Sequence, residues 1–226
     1  MHLLARWALA LAHDRERLGE AAEAGLAVQF GGAVGALEAF GEKGPAIRHR
    51  IALALGLADV VAWQNHRNAW IDLLDRIAQA VVTIGKIAGD IALLMQPEVA
   101  EMRESPPRAG VGASSAMPHK RNPVGCAHAL AAATRMPGLL AGVHAAALGQ
   151  HERALGGWQA ELAIVPEIAS AFGSSLDFLD LIAASLVVDA DRMKANLERY
   201  GEVAYDTKSL EPAVDELLAA LAPHLA

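Results

Sequence analysis

One cysteine, Cys126, occurs in 226 residues. That excludes an internal disulfide and any zinc site built from several thiolates. It fits a reducing compartment, so a cytoplasmic location is expected. Aromatic residues supply only 4% of the chain while apolar residues reach 54%. Ala, Leu, Val and Ile must therefore fill the core, which favours close-packed helices over a sheet rich in aromatic and β-branched side chains. There is no basic run that could follow a phosphate backbone, and the net charge is -7; nucleic acid is not an expected partner. The longest stretch without Asp, Glu, Lys or Arg is 136–151, about 16 residues, and it contains Pro137, His144 and Gln150. A span needs roughly 20, so no membrane association is expected. The opening MHLLARWALALAHDRER has no charged n-region and meets acids at once, unlike a signal peptide. No histidine set has ligand spacing. His151-Glu152 begins like a zinc-protease helix, but the residue four after His151 is Leu155, so no metal is expected.

What is present is helical periodicity. Ile71, Leu74, Ile77, Val81, Ile84, Ile87, Ile91 and Leu94 recur at steps of three and four, predicting a long helix over 67–95. Further helices are predicted over 2–26, 46–55, 158–186, 189–197 (with Asp189 as cap) and 211–225. Another is predicted from Asn122-Pro123 towards residue 150, with Asn122 as N-cap, Pro123 at the first helical position and a kink at Pro137. Phe30-Gly31-Gly32 follows no strand and reads as a tight inter-helix turn rather than a dinucleotide loop. No strand or repeat is evident. The expected fold is all-α, a bundle of long helices over 1–187 followed by a short helical segment over 188–226. So apolar a helical chain should bury helix faces against other chains, and an oligomer is expected.

The segment 104–121 breaks this pattern. It holds Pro106, Pro107, Gly110 and Gly112 and runs on as GASSAMPHKRNP over 112–123, longer than a mere connection needs. Lys120 and Arg121 bring fixed positive charge suited to a carboxylate or phosphate. Asn122 stands at a helix N-terminus, where N–H groups and a partial positive charge favour anions. Ser114 and Ser115 are the nearby hydroxyls, and clustered cations would lower the cost of an alkoxide. These parts describe an anion site with a serine poised at it. The competing reading is a polar surface loop with a good helix cap.

SSAMPHKRNP resembles the signature loop of the fumarase/aspartase superfamily, Gly-Ser-Ser-x-Met-Pro-x-Lys-x-Asn-Pro. Ser114, Ser115, Met117, Pro118, Lys120, Asn122 and Pro123 match it, and Ala113 replaces the glycine. LAVQFGGAVGAL, GKIAGDIALLMQPEV, PHKRNPVG, AATRMPGLL and QHERALGGWQAE resemble the bacterial 3-carboxy-cis,cis-muconate cycloisomerase branch. Ala127 stands where adenylosuccinate lyases and fumarases carry a Glu, which also favours that branch.

The resemblance implies a homotetramer whose active sites draw three segments from different subunits, with no metal or organic cofactor. The first two segments lie upstream of the signature loop, so the chain is expected to be N-terminally incomplete. It implies Ser115 as the proton-transfer residue, with Ser114 beside it. Lys120 and Asn122 would hold a carboxylate of a small polycarboxylate substrate, with Met117, His119 and Arg121 lining the site. Arg67 lies where family members carry an arginine near the substrate; a first-turn surface charge is the other reading. His151 and Arg153 could add anion contacts, or could form a solvated charge cluster in a helix-to-helix turn. Two further readings of the chain are an adenylosuccinate-lyase-like C–N lyase and a helical scaffold without catalysis.

Overall fold

The apolar repeat at 71–94 folds as α3 (Asn68–Leu94). In the computed structural model Leu74, Val81, Ile84, Ile87 and Ile91 are buried along one side of it, each worth about 1.5–3 kcal/mol in apolar area removed from water. The structure describes residues 2–105, 111–117, 120–152, 154–200 and 210–225. Among these, the other helices are α1 (His2–Gly25), α2 (Gly44–Leu55), α4 (Val124–Ala146), α5 (Gly157–Ser185), α6 (Ala190–Tyr200) and α7 (Glu211–Leu221), with short 3-10 turns at Glu38–Lys43 and Ala222–His224. The all-α expectation holds. By length and apolarity α3 and α5 each reach what a membrane span needs, but α3 also carries Asp72, Asp75, Arg76, Lys86 and Asp90.

Pro137 lies inside α4. One detail differs from the sequence reading. A two-residue antiparallel pair exists: β1 (Met102–Arg103) meets β2 (Val187–Val188), with Met102 opposite Val188 and Arg103 opposite Val187. Two residues are too few to leave a period-2 signature in a sequence. The pair continues into a bond from Asp189 N–H to the Glu101 carbonyl (2.9 Å).

The chain falls into two compact units, Met1–His13, Ala80–Thr134 and Ala171–Ala226 in one, Asp14–Gln79 and Arg135–Ser170 in the other. Residues 187 and 188 pair with β1 inside the first of these units. The first unit has its core at Trp7, Ile84, Ile87, Ile91, Met102, Cys126, Ala129, Phe178 and Ile182. Trp7 satisfies its indole N–H on Asp90 Oδ2 (2.9 Å). Helix α6 secures the turn after α3: Arg192 Nε and Asn196 Nδ2 donate to the Val99 carbonyl (3.1 and 2.8 Å), and Asn196 Nδ2 also donates to Glu101 Oε1 (2.9 Å). Asp189 caps α6 as expected, its Oδ1 accepting the Arg192 N–H (2.9 Å). In the second unit, Gly25 lies against α3 so closely that a Cβ would stand 2.8 Å from the Ala69 carbonyl oxygen and the Leu73 Cβ.

Candidate active site at the 112–123 loop

The loop has a closed neck. The Gly112 carbonyl accepts from both the Asn122 backbone N–H (2.8 Å) and Asn122 Nδ2 (3.2 Å), and Ala113 bridges Arg121 in antiparallel fashion. Gly112 has φ +76, and a Cβ there would stand 2.6 Å from the Asn122 carbonyl oxygen, so the neck requires glycine on two counts. Within it, Ser114 Oγ accepts the N–H groups of Ala116 (3.3 Å) and Met117 (3.1 Å). That is the local turn a serine hydroxyl builds well. The Met117 carbonyl then accepts the Lys120 N–H (2.9 Å). Ser114 is therefore committed to shaping the turn. Ser115 is exposed, and its hydroxyl has no partner among the described residues.

Asn122 does not cap α4. The first α-helical bond runs from Ala127 N–H to the Pro123 carbonyl (2.9 Å), so the cap position falls one residue later than predicted, and the Asn122 amide is spent on Gly112. The cap comes instead from Glu104, 21 residues before Gly125. Its carboxylate accepts the N–H groups of Gly125 (2.9 Å) and Cys126 (3.0 Å), and the Cys126 thiol donates to it at 3.3 Å. A carboxylate on these N–H groups also meets the positive end of the helix dipole. Burial, and then the neighbouring Glu104 charge, push the Cys126 thiol far above its ordinary pKa. It is a buried, unreactive thiol, in keeping with its sequence position.

With the Gly125 and Cys126 N–H groups occupied, positive charge for a ligand comes from side chains. Met117, Lys120, Arg121 and Asn122 line a cavity of about 920 Å³ with Arg103 and, from the other elements, Met95, Met102, Val187, Asp189 and Asp191. Ser114 and Ser115 are not among its lining residues. Arg103, Arg121 and Asn122 also line an adjoining cavity of about 250 Å³ beside Glu104. Ala127 lies exposed in the first turn of α4. His119 and Arg153 fall outside the described residues.

Arg67 and His151 belong to the other unit. Arg67 pairs with Glu161 Oε2 at 3.2 Å and lies over the Trp63 ring, 5.4 Å from its centroid. Its guanidinium thus has an internal carboxylate and an aromatic face, and it also lines a cavity of about 210 Å³ with Gln29, Gln64, Asn65, Glu152 and Trp158. Burial raises the Glu161 pKa, and Arg67 opposes that rise. His151 has φ +51 and lines a neighbouring cavity of about 320 Å³. Beside it, Glu152 accepts from Asn65 Nδ2 through its carboxylate and from Gln64 Nε2 through its carbonyl, both at 3.0 Å. No group of three or more His, Cys, Asp or Glu residues able to hold a metal ion occurs among the described residues.

Sequence reasoning missed Glu104 and Arg103. Neither sits in the loop's motif, and their placement depends on the β1–β2 pair, which had no periodic signal.

A family model described as "Lyase" matches residues 1–138. Among curated proteins, the chain is 43% identical over 195 residues to a 3-carboxy-cis,cis-muconate cycloisomerase of Bradyrhizobium diazoefficiens, covering 86% of this chain and 43% of that protein. It is 36% identical over 225 residues to the cycloisomerase of that name in Acinetobacter baylyi, covering 99% and 48%. A crystal structure of the 3-carboxy-cis,cis-muconate lactonizing enzyme of Pseudomonas putida superposes with a TM-score of 0.81 at 38% identity, covering 98% of this chain and 51% of that one. The chain spans about half the length of the curated relatives it matches. With the loop, its neck and the helical fold in agreement, the chain belongs to the lyase family of the fumarase/aspartase superfamily.

Proposed function

We propose that this chain carries the signature-loop portion of a 3-carboxy-cis,cis-muconate cycloisomerase. In that reaction one carboxylate of the substrate attacks a carbon–carbon double bond. A C–O bond forms, the π bond breaks, and its electron pair moves to the carbon α to another carboxylate. Protonation of that carbon completes a γ-lactone, with net uptake of one proton. Ser115 is the proton-transfer residue. Lys120 and Asn122 hold the carboxylate beside the developing charge, and Ser114 sets the turn that presents Ser115. Cations fixed near an aci-carboxylate stabilise it more than they stabilise the ground state, and a positioned hydroxyl supplies the general-acid step. The substrate is a small polycarboxylate, the assembly a cytoplasmic homotetramer with shared active sites, and His119, Arg153, His151 and Arg67 are further candidate contacts.

The observation that carries this reading is the closed neck. Gly112 and Asn122 hold the described motif residues in one frame, with the Ser115 hydroxyl lacking a partner among the described residues while Lys120 and Asn122 line an open cavity. The test follows the loss of the conjugated-diene absorbance of 3-carboxy-cis,cis-muconate, using the chain together with the upstream part of the related cycloisomerases supplied in trans. Turnover that disappears with Ser115→Ala is expected. Equal turnover by the Ser115→Ala form, or none by either, would overturn the reading.

A further inference from the structure

We propose that Arg103 is a third anchoring cation of the 920 Å³ cavity and selects tricarboxylates over dicarboxylates. This rests on the reading of the loop as a polycarboxylate site and names a residue outside its motif.

Three observations lead to it. The first is supply of charge. Arg103 and Lys120 both line the cavity, and neither side chain has an ion-pair or hydrogen-bond partner among the described residues. Long cationic side chains that line a concave site and pair with no carboxylate there favour an anionic occupant. The second is exclusion of the alternative. The obvious second anion holder is the N-terminus of α4, but the Glu104 carboxylate already accepts its Gly125 and Cys126 N–H groups. A ligand carboxylate beyond the one held by Lys120 and Asn122 must find its donor elsewhere. The third is polarity. Arg103, Arg121 and Asn122 together line the adjoining smaller cavity with Glu104, whose carboxylate already accepts the Gly125 and Cys126 N–H groups; Asp189 and Asp191 are absent from it. The two aspartates line only the larger cavity. Asp189 is engaged as the α6 cap through the Arg192 N–H, and both repel a carboxylate placed near them. Two guanidinium groups against one engaged carboxylate leave the region shared by Arg103 and Arg121 net basic, while the two aspartates make the start of α6 acidic.

Local structure explains how Arg103 comes to be there. Residues of a strand alternate in direction. Met102, paired opposite Val188, enters the core, so Arg103, paired opposite Val187, is turned outward and exposed. Glu104 then returns towards α4. One short strand segment thus supplies a core residue, a cavity cation and a helix cap in succession. A planar guanidinium binds a carboxylate in two-pronged fashion, which an ammonium does not. A spectator carboxylate on a three-acid ligand would make that contact; a two-acid ligand would leave it unmade.

The test measures binding of propane-1,2,3-tricarboxylate and succinate to the 226-residue chain by calorimetry at fixed ionic strength. Arg103→Gln should weaken the tricarboxylate about tenfold, the worth of one charge-assisted contact, and leave succinate within about twofold. Arg103→Lys should recover part of the loss. Lys120→Gln should weaken both acids. Equal weakening of both acids by Arg103→Gln, or no effect on either, overturns the role of Arg103 while leaving the loop site standing if Lys120→Gln still acts. Failure of both acids to bind the unaltered chain overturns the underlying polycarboxylate reading and the proposal with it. Arg103 is exposed, so the substitution leaves the core intact, and an unchanged unfolding midpoint verifies that.

Discussion

Removal of the Glu104 carboxylate is the most direct test of how the loop is held. In Glu104→Ala the N–H groups of Gly125 and Cys126 lose their acceptors at 2.9 and 3.0 Å, and the thiol loses its acceptor at 3.3 Å. Loss of a helix cap costs about 0.5–2 kcal/mol, and hydrogen bonds to a charged group are worth about 1.5–3 kcal/mol each before water replaces them. Water can reach part of this site because Gly125 is only partly buried. A net loss of about 2 kcal/mol is expected, equivalent to a fall in Tm of about 4–8 °C for a chain of this size. Glu104→Gln retains one acceptor oxygen without the charge and should lose about half as much. A second readout comes from Cys126. Burial is the larger cause of its raised pKa and Glu104 the next, so the Ala variant should bring the thiol part of the way back. Its reaction with a thiol reagent at about pH 8 should then accelerate towards that of an ordinary cysteine. A Tm within about 1 °C of the parent, together with a thiol as inert as before, would refute the view that Glu104 anchors the start of α4.

Two further outcomes are open to measurement. Gly112→Ala forces a side chain into a left-handed backbone 2.6 Å from the Asn122 carbonyl oxygen. It should cost about 1–3 kcal/mol and speed amide exchange at Asn122; unchanged exchange there would count against the closed neck. Glu161 has its pKa raised by burial, with Arg67 opposing. A raised carboxyl contributes stability that is complete below its ordinary pKa and is lost as pH rises through the folded value. The stability of the parent relative to Glu161→Gln should therefore fall over the pH window that opens at the ordinary carboxyl pKa and closes at the raised one. A rise over that window would mean that the Arg67 pairing outweighs burial.

Much of the fold was legible because α3 repeats apolar residues at three and four and because Gly and Pro punctuate the helix ends. The loop was legible because its chemistry is compressed into contiguous residues. What escaped had no local signature. Asn122-Pro123 has the composition of a helix start, yet the Asn122 Nδ2 donates to the Gly112 carbonyl, which fixes how the amide is turned, and the Glu104 carboxylate accepts the first-turn N–H groups. Local propensity ranks Asn as a cap but cannot register a competing acceptor brought near by the loop's own closure. Ser114 and Ser115 are adjacent and chemically identical in sequence. Only the turn distinguishes the one whose oxygen is occupied from the one left without a partner among the described residues. The β1–β2 pair joins residues more than eighty apart through two residues on each side, a contact that periodicity cannot see.

The neck at Gly112 and Asn122 has an evolutionary corollary. Both strands of the crossing are fixed to one carbonyl oxygen, and α4 is anchored independently by Glu104. Residues between the crossing points can then change identity without shifting the helix behind them. Substitution inside such a loop alters which groups meet a ligand while the scaffold keeps its register. A lineage can thus explore new eliminations and additions at low structural risk, with selection acting on the contents of the loop separately from its frame.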